Sequence, residues 1–244
     1  MKWGSFGLVH ITSLVLAAAM IVVLYFALRK ASRRVQTAVL GVLSFSGLAA
    51  VIFNLVTWGS PVEYLPLHLC SLNALVLPIA VFTRNKHLGN LLLVWCLGAL
   101  AALVVNMAQA EYELLSWTFV FYFFPHVLEF GIPILLFRLG LIEKDPKCIL
   151  STIVITMAIY TGVHLCNVGL NGYLAANNVL DYAGNVIQVN YMYSIQPENP
   201  LLALFYQIIP SQYWYMYMIV PILVVYLGIV YLPQILAKRK KNAA

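Results

Sequence analysis

The sequence predicts an all-α polytopic membrane protein, a bundle of seven transmembrane helices with its N-terminus outside and its C-terminus in the cytoplasm. Three observations predict it. Of the 244 residues 63% are hydrophobic and 9% charged, against roughly 25% charged in soluble domains. Seven apolar windows are long enough to cross a bilayer, and the basic residues sort to alternate connections between them.

A spanning helix needs about 20 apolar residues for roughly 30 Å of hydrocarbon and satisfies its own backbone hydrogen bonds. The windows run Leu8 to Leu28, Gln36 to Trp58, Leu65 to Thr83, Leu88 to Gln109, Ser116 to Leu139, Cys148 to Leu170 and Trp214 to Leu236. The first exceeds the apolar region of a signal peptide and has no small-residue cleavage site after it, so it reads as a retained helix.

Lys and Arg in short loops mark the cytoplasmic side. Arg29, Lys30, Arg33 and Arg34 follow the first window, Arg84 and Lys86 the third, and Arg138, Lys144 and Lys147 the fifth, while Lys238 to Lys241 close the tail. Of fourteen basic residues only Lys2 falls on the other side, together with Glu63, Glu111, Glu113, Asp181 and Glu198. An odd number of spans is the simplest count that fits. The net charge of +6 is therefore a topology signal and not a nucleic-acid surface.

Residues 1 to 244 read as a single transmembrane domain without repeats. Its one long connection, 171 to 213, is external, and Leu201 to Ile209 suits a short helix at the headgroup level. Loops of this length in compact folds usually serve as lids or binding elements.

Ionisable groups are expensive in hydrocarbon, so they mark cavities or functional sites. His68 falls in the first turn of the third window, and His164 and Asn167 in the last turns of the sixth. At 1.5 Å per residue His126 lies roughly 15 Å below the start of the fifth window, with Glu129 one turn deeper, near the midplane. Asn106 and Gln109 stand at the outer end of the fourth window, Asn54 and Thr57 at that of the second. Thr161, His164, Asn167 and Asn171 share one helix face, and His126 and Glu129 another. Pro125 and Pro133 free carbonyls in that helix. Together these residues predict a polar cavity open to the outer leaflet.

A buried carboxyl beside an imidazole suits general-base chemistry. Asn54, Asn73, Asn106 and Gln109 serve equally as interhelical glue or as cavity lining, and His10 reads as structural. Of the four cysteines, Cys70 and Cys166 lie near histidines, with Cys70 the stronger candidate nucleophile; Cys96 and Cys148 have no polar partner in view. No CxxC pair or zinc spacing occurs, so neither a metal nor another cofactor is expected.

The segment LPLHLCSLN (Leu65 to Asn73) resembles the histidine-containing third-helix motif of the YwaF family, small bacterial seven-helix membrane proteins distantly similar to eukaryotic transmembrane protein 164. WCLGALAAL, FFPHVLEFGIPILL, and Asn167 followed by Asn190, Tyr191, Met192 and Tyr193 come in the matching order. The resemblance implies a multi-pass protein of the bacterial plasma membrane. Through the eukaryotic relative, a phospholipid acyltransferase that uses a cysteine, it implies acyl transfer on membrane phospholipid or another lipid. His68 and His126 carry over. The eukaryotic Pro-Cys-His corresponds to Pro66, Leu67 and His68, so the nucleophile position is leucine, with Cys70 one turn away on a different face. Residues between Asn171 and Val189 read as an insertion.

Two classes of function follow. In an acyltransferase His126, oriented by Glu129, activates a nucleophile such as Cys70, while His68 or Asn167 stabilises the oxyanion; Asn106, His164, Asn167, Asn190 and Tyr191 bind substrate. In a lipid or small-molecule binding protein or transporter the same cavity works without chemistry. A third reading, a structural subunit, gives the histidines no role beyond packing. No carboxylate ring or filter motif supports a channel.

Overall fold

The computed structural model describes residues 2–4, 6–58, 60, 62–105, 111–181 and 183–243, with side chains to residue 236. The chain is all-α apart from one short ribbon. In order it forms β1 (Lys2–Trp3), α1 (Leu8–Leu28), α2 (Arg33–Thr57), α3 (Leu69–Thr83), α4 (Lys86–Val104), β2 (Tyr112–Glu113), α5 (Trp117–Arg138), α6 (Cys148–Ala176), α7 (Pro200–Ile208) and α8 (Ile219–Ala243). Among the described residues six helices are long and apolar enough to cross a membrane, and the chain is a multi-pass membrane protein. The seventh apolar helix, α3, has only 15 residues, or about 22 Å at 1.5 Å each.

Local chemistry sets the boundaries. Ser32, Asn85, Ser116 and Asn199 cap α2, α4, α5 and α7 by accepting backbone N–H bonds of the first turn, where four donors otherwise lack partners. α3 starts four residues later than its apolar window. Pro66 disfavours helical geometry for Leu65, and His68 is the extended N-cap residue (φ −75°, ψ 153°) instead of a first-turn residue. α6 runs six residues past its window to Ala176, so the connection begins at 177. Trp214–Met218 is a 3-10 turn before α8, and the short helix expected at Leu201 to Ile209 is α7.

α4 and α5 form the centre of the bundle, with 56% and 61% of their most apolar windows buried, whereas α1, α6 and α8 have 22% or less buried and lie outside. α2 packs on α3 and α5, and α4 on α5, α3 and α6. Leu40, Leu77, Leu92, Trp95, Ile132 and Leu136 make the central core. At the end of the bundle where α3 and α5 begin, β1 pairs antiparallel with β2, Trp3 opposite Tyr112. Trp3 is fully buried against His10, Tyr112, Phe119, Tyr122 and Phe123. His10 donates from Nε2 to the Leu103 carbonyl (2.7 Å) and accepts at Nδ1 from the Phe6 N–H, which ties α1 to the end of α4.

Candidate functional site

Beneath the ribbon, α2, α3 and α5 enclose a cavity of about 670 Å³, its mouth included. His126, Glu129 and Cys70 all line it, with Asn54, Ser71 and an aromatic wall of Trp58, Tyr64, Tyr112, Phe121 and Tyr122. Cys70 stands in the first turn of α3. The later start of that helix at His68 changes which residues form its first turn, and the thiol meets the same space as His126.

The imidazole is held by its own helix. His126 Nδ1 lies 2.6 Å from the Tyr122 carbonyl oxygen, which can only accept, so Nδ1 carries the proton. In the neutral ring Nε2 is then an acceptor. The Tyr122 ring lies against it at 4.5 Å, and the Tyr122 hydroxyl donates to the Ala102 carbonyl. Pro125, without an N–H, frees the Phe121 carbonyl one turn back.

Glu129 is buried, and its Oε2 has no hydrogen-bond partner among the described residues. No hydrogen bond joins it to His126, so the orientation expected from Glu129 comes instead from the Tyr122 carbonyl. Room for the carboxyl depends on Gly47. A Cβ there would stand 2.5 Å from Glu129 Oε1 and 2.6 Å from the Ala74 Cβ. Asn73 donates to the Glu129 backbone carbonyl at 3.3 Å and ties α3 to α5. Among the described residues no three His, Cys, Asp or Glu side chains are arranged to hold a metal ion.

The other expected site residues gather elsewhere. His68 accepts at Nδ1 from the Met192 N–H (3.3 Å), its ring 5.5 Å from Tyr191 and 5.6 Å from Tyr193. Asn167, fully buried, donates to the Tyr191 carbonyl and the Ser194 hydroxyl (both 2.8 Å) and accepts from the Tyr191 N–H (3.1 Å). His164 Nδ1 meets the same hydroxyl at 3.1 Å. Asn171 brackets the Val189 backbone in both directions, and Asn190 closes on the Gln196 carbonyl and Glu198. One face of α6 thus fastens residues 189–194, including Met192 and Tyr193 in the left-handed region (φ 52° and 55°). His68, the N-cap residue two before Cys70, ties this fastened segment to the start of α3. Asn106 and Gln109 lie outside the described residues.

Two other cysteines differ in setting: Cys166 is exposed and Cys96 buried. Cys148, expected to lack a polar partner, has its sulfur 3.6 Å from His87 Nδ1, because the α5–α6 connection folds back on the start of α4. Sequence reasoning missed Tyr122 and Gly47. The spacing of Tyr122, one turn before His126, was the available signal for the first. Nothing in the sequence showed that Gly47 faces a carboxyl.

Bundle and cavity define a multi-pass helical membrane protein with a polar pocket set inside one end. The TMEM164 family profile matches residues 5–231, nearly the whole chain, and the chain belongs to the TMEM164 family. No curated protein and no solved structure matches it.

Proposed function

We propose that the chain is a membrane-embedded phospholipid acyltransferase of seven spans, its N-terminus outside and its C-terminus in the cytoplasm. The short α3 counts as a span in this reading because an odd number of spans is the simplest count that keeps the basic connections on one side of the membrane. The charge sorting supports the orientation, since thirteen of the fourteen basic residues lie around the α1–α2, α3–α4 and α5–α6 connections or near the C-terminal end of α8.

One observation carries the chemical reading: an imidazole whose Nδ1 is committed to the Tyr122 carbonyl shares a cavity with the thiol of Cys70. His126 Nε2 takes the thiol proton, and sulfur attacks the ester carbonyl carbon of a phospholipid. Leu69, Cys70 and Ser71 open α3, where backbone N–H groups have no partner within the helix. They and the Asn54 amide supply donors for the oxyanion. The ester C–O bond breaks, and the lysophospholipid oxygen leaves with the proton from His126. An acceptor hydroxyl then gives its proton to Nε2, its oxygen attacks the thioester, and the C–S bond breaks, with the proton returning to sulfur. Acyl groups are exchanged without a further reactant or cofactor. Glu129 is the carboxyl of the cavity and faces the positive charge that His126 acquires. His68, His164 and Asn167, with Asn190 and Tyr191 inside the segment, hold residues 189–194 against the start of α3 and the face of α6.

Incubation with phospholipid carrying a labelled acyl chain, followed by acid quench and intact mass measurement, tests this reading. The expected product is one acyl chain on Cys70, released by neutral hydroxylamine as a thioester and missing from Cys70→Ala. Intact lipid bound without any adduct would favour a binding or transport protein instead.

A further inference from the structure

The opposite end of the bundle carries a basic cluster for which the acyl-transfer reading has no use. Arg29, Lys30, Arg33 and Arg34 crowd the tight turn from α1 to α2, all exposed. Arg84, the C-cap of α3 in the left-handed region (φ 52°, ψ 30°), sends its Nη2 2.8 Å onto the Thr37 hydroxyl of α2. Thr37 stands four residues after Arg33 and three after Arg34, hence on their helix face. Arg33, Arg34 and Arg84 therefore meet on one face at the start of α2.

The arrangement runs against ordinary helix electrostatics. A helix N-terminus favours acidic side chains, yet the first turn of α2 has none and holds two arginines. None of the five cations forms an ion pair among the described residues; the two such pairs are Lys2 with Glu111 and Lys86 with Asp145. The Arg84 Nε is buried without a hydrogen-bond partner. An anion seated here would meet positive charge that no carboxylate among the described residues neutralises.

The surface next to the cluster decides which anion. Phe82, the penultimate residue of α3, lies over Gly41 of α2, where a Cβ would approach its ring to 2.4 Å. With Val42 and Phe45 it presents an exposed apolar strip leading away from the arginines. We infer that Arg33, Arg34 and Arg84 form a headgroup site for an anionic phospholipid whose acyl chains lie along the α2–α3 face. The site is independent of the chemistry proposed for the cavity.

The test uses the full chain in neutral detergent, mixed with phosphatidylglycerol and phosphatidylcholine of matched acyl chains and read by native mass spectrometry. Wild type should retain phosphatidylglycerol in preference to phosphatidylcholine. Arg33→Gln/Arg34→Gln removes only exposed charge and should weaken phosphatidylglycerol retention by roughly 25-fold, at about five-fold per cation; adding Arg84→Gln should bring the loss to the order of a hundred-fold. Arg138→Gln/Lys144→Gln/Lys147→Gln, with the same change in net charge, should leave retention unchanged. Equal retention of both lipids, an equal loss in that control, or displacement of the lipid by excess glycerol 3-phosphate would overturn the proposal.

Discussion

The Nδ1 of His126 lies 2.6 Å from the carbonyl oxygen of Tyr122, one turn back on α5, and this bond decides which ring nitrogen is left to accept a proton. It predicts the behaviour of His126→Asn. The Asn amide N–H can still reach the Tyr122 carbonyl, but nothing replaces Nε2. The variant should keep the thermal stability of the wild type and lose about 10²–10⁴-fold in acyl transfer, the usual worth of a positioned base. Thermal melts beside turnover measurements check both halves.

Gly47 gives α2 its close approach to α3 and leaves space for the Glu129 carboxyl. Gly47→Ala should destabilise the bundle by about 1–3 kcal/mol through overpacking and displace Glu129. Ala74→Gly in the same chain, by removing one of the two clashes, should recover part of the stability. A double-mutant cycle of Gly47→Ala and Ala74→Gly measures that coupling.

Asn167 satisfies both backbone polar groups of Tyr191 and the Ser194 hydroxyl from a fully buried position. In Asn167→Ala those groups lose their partner, at about 1–3 kcal/mol for each left unsatisfied. Hydrogen exchange should accelerate at residues 189–194 and stay unchanged in α4 and α5. Uniform acceleration along the chain would show that Asn167 supports the whole bundle and not this segment.

Outside the spans, Asp145 is held below the ordinary carboxylate range, first by its hydrogen bond from Lys86 (2.8 Å) and then by the Lys147 N–H. A carboxyl whose pKa is lowered in the fold adds stability above its unfolded value, about 3.9, and that contribution disappears as pH falls through the folded value. The difference in Tm between wild type and Asp145→Asn should therefore hold steady from neutral pH to about 4 and shrink below it. The difference should also fall with added salt, as expected for exposed charges.

Apolar length made the spans legible, and depth along α5 singled out His126 and Glu129. Hydropathy could not show where α3 begins. Pro66 and the extended His68 leave Leu67 outside the helix, so Cys70 and Leu67 share no helix whose faces could be compared, and the thiol lines the cavity. Periodicity put His164, Asn167 and Asn171 on one stripe. It could not tell that the stripe faces a backbone segment with two consecutive left-handed residues, Met192 and Tyr193. Such a turn depends on partners far along the chain, and neither residue type favours it locally.

The most direct measurement of lipid acyl transfer incubates purified protein with isotopically labelled phospholipid and unlabelled lysolipid, and follows the acyl chains by mass spectrometry. Label should move to the lysolipid with wild-type protein and stay in place with His126→Ala and with Cys70→Ala. Undiminished transfer in either variant, or phospholipid bound by the wild type with no transfer at all, would contradict the account.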